Sequence, residues 1–270
     1  MRITFLGGGN MAAALIGGLR EKGFSAAGIQ VVELSLEARE KLTEQFGVRC
    51  TDQFDAAALN CDVVVLAVKP QQMRAAVTPL IGKLKQQLVI SIAAGLRVDD
   101  MSRWLGNYPR IVRTMPNTPA LIGAGITGLY AAPEVDAEQR KVADTILGAV
   151  GVTVWVEDEA QVDGVTAISG SGPAYVFYFI EALEAAALEL GFDAVSARKL
   201  ALQTTLGAAQ LAAQSEESPT VLRERVTSKG GTTEAALRSL EGDAVSAAVS
   251  RAAKAAAARG RELGILLGQD

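Results

Sequence analysis

Apolar residues gather in short, nearly unbroken runs through the first part of the chain and spread into helical spacing through the rest. The run "DVVVLAV" at Asp62–Val68 is apolar at both odd and even positions. A strand with that pattern is covered on both faces, which implies a parallel sheet. Comparable runs predict strands at Ile3–Leu6, Gln30–Glu33, Leu88–Ile92, Arg110–Met115, Ile126–Ala131 and Thr153–Val156. Between several of them, periodic patterns predict helices over Met11–Lys22, Leu36–Phe46, Gln71–Leu84 and Ala137–Ala149. Strand–helix alternation of this kind predicts a doubly wound α/β domain of Rossmann type.

After about Asp158 the strand-like runs stop, and Ala, Leu and Glu dominate. Helices are expected at Gln161–Ala167, Ala174–Leu190, Ala194–Ala213, Pro219–Val226, Thr233–Leu240 and Ala244–Leu263. The chain therefore divides into a dinucleotide-type domain, 1–158, and an all-helical domain, 159–270. In "VSAAVSRAAKAAAARG" the small side chains suit close helix approach, so the helical domain is expected to pack on a second copy; a solvated Ala-rich helix is the alternative. Glu181, Glu184 and Glu189 recur at helical spacing in the most hydrophobic stretch, which fits an amphipathic helix better than a membrane span.

Composition narrows the chemistry. The 270 residues carry a formal charge of −4, which argues against a nucleic-acid surface. Histidine is absent, which removes Ser-His-Asp and Cys-His catalysis and every His-containing zinc site. The two cysteines, Cys50 and Cys61, cannot form an all-Cys zinc site and lack CxxC spacing. No metal is expected, and both thiols read as small buried hydrophobes in a reducing compartment. The chain opens directly on "MRITFLGGG" with no basic, apolar leader, so a cytoplasmic protein is expected.

"ITFLGGGNMAAALIGGL" sets Gly7, Gly9 and Ala12 in the G-x-G-x-x-A form between a strand and a helix. The first glycine permits the turn, the second lets a pyrophosphate approach, and Ala12 allows close helix–sheet packing. Glu33 closes the second strand about twenty residues further on, where an acid binds the ribose hydroxyls of NAD. It would repel the 2'-phosphate of NADP, yet Ser35 and Arg39 can accept that phosphate if Glu33 turns away; Glu33 as a solvated strand end is the plainer alternative. Val68, Lys69 and Pro70 end the strand of "LAVKPQQM" and would border the nicotinamide half of the cofactor. Ala93, Ala94 and Gly95 leave room for the ring, while Asn117 either bonds its carboxamide or caps a turn.

Two stretches of the helical half hold small polar residues. "ISGSGP" lacks G-x-S-x-G spacing and any histidine to activate a serine, so Ser169–Pro173 reads as a helix start. "VTSKGGTT" at 226–233 breaks the helical pattern with two glycines. Ser or Thr beside Glu234 can cap the next helix, whose N-terminal amides would meet an anion.

Together, "FLGGGNMA", "AVKPQ", "SIAAG", "MPNTPA", "ISGSGPAYVFYFIEAL" and "VTSKGGTTEAAL" resemble the pyrroline-5-carboxylate reductase family, in order, from Ile3 to about Leu263. The resemblance implies reduction of 1-pyrroline-5-carboxylate to L-proline with NADPH or NADH, NADPH being commoner, and a homodimer that can build larger assemblies. It implies that Gly7, Gly8, Gly9, Asn10 and Met11 hold the cofactor phosphates. Lys69, Pro70, Ala93–Gly95 and Asn117 would surround the nicotinamide. It further implies that Ser228, Gly230, Gly231, Thr232 and Thr233 seat the substrate carboxylate and ring nitrogen, Thr233 lying nearest the imine as the catalytic hydroxyl. Lys229 stands where many relatives have proline. A histidine-free site suits this chemistry, because an imine protonated on nitrogen accepts hydride at carbon without a strong protein acid. A 3-hydroxyacid dehydrogenase would need a base such as Lys199 or Lys229, and a dinucleotide-sensing regulator would need no polar loop at 227–233.

Overall fold

The structure is a computed structural model that describes residues 1–269. Eight strands form one sheet: β1 (Ile3–Leu6), β2 (Ile29–Val32), β3 (Arg49–Thr51), β4 (Val63–Leu66), β5 (Leu88–Ser91), β6 (Ile111–Met115), β7 (Gly125–Ala131) and β8 (Gly151–Trp155). Their spatial order is β3-β2-β1-β4-β5-β6-β7-β8. The first six run parallel; β7 pairs antiparallel to β6, and β8 follows β7. Every residue of β1, β4 and β5 is buried, as runs without polar–apolar alternation require.

Among the described residues, twelve α-helices accompany the sheet: α1 (Asn10–Glu21), α2 (Leu36–Phe46), α3 (Ala56–Leu59), α4 (Met73–Val77), α5 (Val98–Trp104), α6 (Ala137–Leu147), α7 (Gln161–Val165), α8 (Gly172–Glu189), α9 (Ala194–Gln214), α10 (Pro219–Arg225), α11 (Thr232–Gly242) and α12 (Val245–Gly268). The helix expected over Gln71–Leu84 is in fact broken into α4 flanked by two 3-10 turns, Pro70–Gln72 and Thr78–Leu80. Pro79 lies within the second turn and cannot donate to a continuing helix. The strand β3 and the helices α3 and α5 lie outside the predicted set. Cys61 is buried as expected, and that burial raises its thiol pKa, whereas Cys50 is only half-buried.

Packing separates two compact units. Among the described residues the first comprises 1–171 with 255–269, and the second Gly172–Lys254. The first unit has a continuous core in which Phe5, Leu15, Ile16, Leu66 and Ile90 are fully buried. It keeps α7, whose Val165 meets Gly128 of β7, and it also takes the last turns of α12, where Gly264 lies against Gly95. The change of composition at Asp158 and the packing division after Ser171 are thus different boundaries. In the second unit, α8 and α9 bury only Ala187, Ala197 and Ala201, and α10 and α11 bury no residue. Among the described residues no helix is long and apolar enough to cross a membrane.

Candidate active site

The turn between β1 and α1 fixes the first part of the site. Gly7 has φ +100°, and a Cβ there would lie 2.7 Å from the Ala67 carbonyl oxygen, so only glycine fits. Its amide donates to the Val32 carbonyl at 2.8 Å, which ties the turn to β2. Nothing lies within 4 Å of a Cβ built on Gly9, so the chain is open there. Gly9 is the N-cap of α1 and no side chain caps that end. The first helical bond runs from Ala13 N to Gly9 O at 2.9 Å, which leaves the Asn10, Met11 and Ala12 amides facing outward from the helix end. An uncapped N-terminus beside an open glycine suits a phosphate. Ala12 itself is buried, as the motif demands.

Glu33 is not a free strand end. Its Oε2 accepts the Gly8 amide at 2.8 Å and its Oε1 accepts the Ser35 amide at 2.9 Å. Arg39 Nη1 donates to the carbonyls of Glu33 and Leu34, both at 2.8 Å. Ser35 caps α2 by accepting the Ala38 amide at 3.3 Å. Glu33 therefore clamps the glycine loop, and Arg39 and Ser35 stand at the same corner.

Sheet register aligns the remaining residues expected on the nucleotide side. Leu6 pairs with Leu66, Leu66 with Ser91 and Ser91 with Arg113, so β1, β4, β5 and β6 end side by side. Val68, Lys69 and Pro70 follow β4, with Val68 against Gly7, Lys69 exposed and Pro70 opening a 3-10 turn. Ala93, Ala94 and Gly95 follow β5; Ala93 is buried, Ala94 is exposed and Gly95 has φ +82°. Asn117 follows β6 and is buried. Its Oδ1 accepts the Ile126 amide at 2.9 Å, and its Nδ2 donates to the Ser169 carbonyl at 3.2 Å. It heads the 3-10 turn Thr118–Ile122 without capping it, so its side chain ties three segments together instead. All these groups lie at the carboxyl ends of parallel strands, on both sides of the point where strand order reverses between β1 and β4.

An ion triad that the sequence did not announce, buried at Arg113 and Asp163 and half-buried at Glu159, braces this edge. Arg113 donates from Nη1 to Glu159 Oε1 and from Nη2 to Asp163 Oδ1, each at 3.1 Å. Glu159 Oε1 also accepts the Val98 amide at 2.8 Å, which joins β6, α5 and the entry to α7.

In the second unit, the loop 226–231 precedes α11. Gly230 has φ +73°, and Gly231 N donates to Ser228 O at 3.0 Å to close the turn. The capping expected from Ser or Thr is absent: Gly231 is the N-cap and no side chain caps α11. Glu234 instead reaches back to the Gly230 amide at 2.5 Å. Its place three residues past the N-cap is the sequence signal for such a reach. Thr232 and Thr233 occupy the first turn, with Thr233 half-buried.

Known proteins place the chain. Residues 159–263 match the family model described as pyrroline-5-carboxylate reductase dimerisation, and residues 2–95 match that of NADP oxidoreductase, coenzyme F420-dependent. The chain is 48% identical over 269 residues to a pyrroline-5-carboxylate reductase of Pseudomonas aeruginosa, covering 99% of this chain and 98% of that one. It belongs to the pyrroline-5-carboxylate reductase family. Like that family, it is an NAD(P)-dependent oxidoreductase of the final step of proline biosynthesis. A pyrroline-5-carboxylate reductase of Vibrio alginolyticus is 42% identical over 97% of both chains. Among solved structures, the pyrroline-5-carboxylate reductase of Coxiella burnetii superposes with a TM-score of 0.93 at 44% identity, over 97% of this chain and 98% of that one. The enzyme of Plasmodium falciparum, solved with NADP bound, gives a TM-score of 0.85 at 28% identity over 98% of both chains. Family membership accounts for the unburied second unit, since its helices are those of the dimerisation model.

Proposed function

We propose that this pyrroline-5-carboxylate reductase prefers NADPH, holds it on residues 1–158, and seats the imine on the Ser228–Thr233 loop of a substrate-binding and dimerising half, 159–270. The observation that carries the proposal is a pair of uncapped helix N-termini, α1 beside an open glycine turn and α11 after another. Each offers amides to an anion, a pyrophosphate at the first and a ring carboxylate at the second. When bound, the dinucleotide supplies the hydride. Gly8, Gly9, Asn10 and Met11 fix its phosphates, while Val68–Pro70 and Ala93–Gly95 border the nicotinamide. Asn117 has one amide hydrogen left for the carboxamide after its bond to Ser169.

On the substrate side, the first-turn amides of α11 and the Ser228 hydroxyl hold the carboxylate. Thr233 meets the imine nitrogen. The nitrogen is already protonated, so hydride addition at the imine carbon gives the neutral secondary amine, and the chain's task is orientation. Preference for NADPH is supported by Arg39 and Ser35 beside a Glu33 carboxylate that is turned into its own loop. A cytoplasmic setting is supported by the two free thiols.

Steady-state NAD(P)H oxidation with 1-pyrroline-5-carboxylate tests the assignment. Thr233→Ala is expected to lower turnover about tenfold or more while NADPH affinity, read by fluorescence titration, stays near wild type. Unchanged turnover would remove Thr233 from the mechanism.

A further inference from the structure

We infer that Glu234 is the positioning residue of the substrate loop and that Arg238 acts through it, holding the charge of Glu234 away from the incoming substrate carboxylate. The inference rests on the reading of Ser228–Thr233 as the substrate's seat. One atom carries both functions. Glu234 Oε2 accepts the Gly230 amide at 2.5 Å, and the same Oε2 lies 3.3 Å from Arg238 Nη2, one helical turn along.

The first bond shapes the loop. Gly230 is in the left-handed region, and the turn it makes has one other tie, Gly231 N to Ser228 O at 3.0 Å. No proline stiffens residues 226–233. A charge-assisted bond from the first turn of α11 therefore supplies rigidity that the loop's own residues do not. It also engages the Gly230 amide, so the amides left for an anion are those of the helix mouth.

The second contact answers a cost that the first creates. A carboxylate within a few residues of a carboxylate-binding site repels the substrate, and at a surface site the penalty is modest but real. Arg238 offsets it. Its side chain is 70% exposed and that of Glu234 is 34% exposed, so as a plain stability pair the two would contribute little. Arg223 and Glu241 line the same recess between α10 and α11, yet the contact to Glu234 is made by Arg238.

Four variants of the full-length enzyme test this: Glu234→Ala, Glu234→Gln, Arg238→Gln and the double variant Glu234→Gln with Arg238→Gln. Glu234→Ala is expected to raise KM for the imine about fivefold, with KM for NADPH unchanged. Glu234→Gln keeps an acceptor for the Gly230 amide and is expected to recover most of that loss. Arg238→Gln is expected to raise the imine KM about twofold in the wild-type background and by clearly less in the Glu234→Gln background, where Arg238 has no carboxylate to hold and acts only through its own screened charge. An imine KM that Glu234→Ala leaves unchanged, or an Arg238→Gln effect of equal size in both backgrounds, would overturn the inference. Ser228→Ala and Thr233→Ala separate the two levels. If they alter imine kinetics while Glu234→Ala does not, only the positioning role falls. If none of the three does, the loop is not the substrate's seat and both readings fall.

Discussion

Glu33 shows how one side chain can hold two opposed meanings until its partners are known. From sequence it is either the acid that binds the ribose hydroxyls of NAD or a solvated strand end; in the structure both its oxygens bond backbone amides, of Gly8 and Ser35. A carboxylate so engaged offers fewer free lone pairs to ribose hydroxyls. Arg39, anchored on two carbonyls at the same corner, supplies an opposite field. The balance is open to direct measurement. Glu33→Ser removes a negative charge beside the expected 2'-phosphate and is expected to raise the NADPH-to-NADH ratio of kcat/KM about fivefold. Both cofactors also lose the clamp on Gly8, so absolute values for each should fall while the ratio isolates the charge. A ratio that does not move would make Glu33 a loop brace and nothing more. None of this geometry is readable from spacing alone, because the motif names the residue and not the direction in which its carboxylate turns.

At the scale of elements, two contacts hold in place the loops proposed to border the nicotinamide. The Arg113 triad ties β6 to α5 and to α7 in a buried setting, with Asp163 almost fully enclosed. Arg113→Met leaves that carboxylate without a counter-charge, which is expected to cost about 3–5 kcal/mol. In thermal unfolding this should appear as a Tm about 10 °C lower, partly restored when Asp163→Leu is added. The second contact is the approach of α12 to the loop after β5. A Cβ on Gly264 would lie 2.7 Å from the Gly95 carbonyl oxygen, and Arg103 Nη2 bonds the Gly268 carbonyl at 2.6 Å one turn further. Gly264→Ala must push the Ala93–Gly95 segment, so kcat/KM for NADPH is expected to fall about tenfold with the imine KM little changed. The sequence exposes these elements unevenly. Strands β1, β4 and β5 were legible because both their faces are buried and their runs are continuous. The three-residue β3, with its exposed Arg49, carries no such run. Helix α5 packs Val98, Met101 and Trp104 inward, but its seven residues are too short for a periodic signal. The triad was illegible because its partners stand 46 and 50 residues from Arg113, a proximity that the sheet creates.

For the whole molecule, the decisive feature is a second unit that buries almost nothing of itself. Phe177, Tyr178 and Phe179 on α8 are 65%, 75% and 52% exposed, and Leu206 and Leu211 on α9 are also exposed. Four helices cannot repay their ordering entropy with three buried alanines. The second copy must supply the missing core, which is what the match to a dimerisation model across 159–263 describes. The first unit differs, because its sheet is already closed around apolar side chains that are fully buried within one chain. Folding of the second unit should accordingly depend on concentration, and folding of the first should not. The wild-type Tm is expected to rise with protein concentration, as mass action requires of a native state that is an oligomer. Phe177→Asp places a charge in that shared core, so light scattering should report loss of the dimer and circular dichroism loss of helix. Imine turnover should vanish with it, since the loop proposed to seat the substrate, Ser228–Thr233, belongs to the second unit. Cofactor binding is the discriminating readout. With the first unit intact, NADPH should still quench or shift tryptophan emission in the monomeric variant, because Trp104 and Trp155 both lie within it. A Phe177→Asp protein that remains dimeric and active would show that the exposed face of α8 is not the surface on which two copies meet.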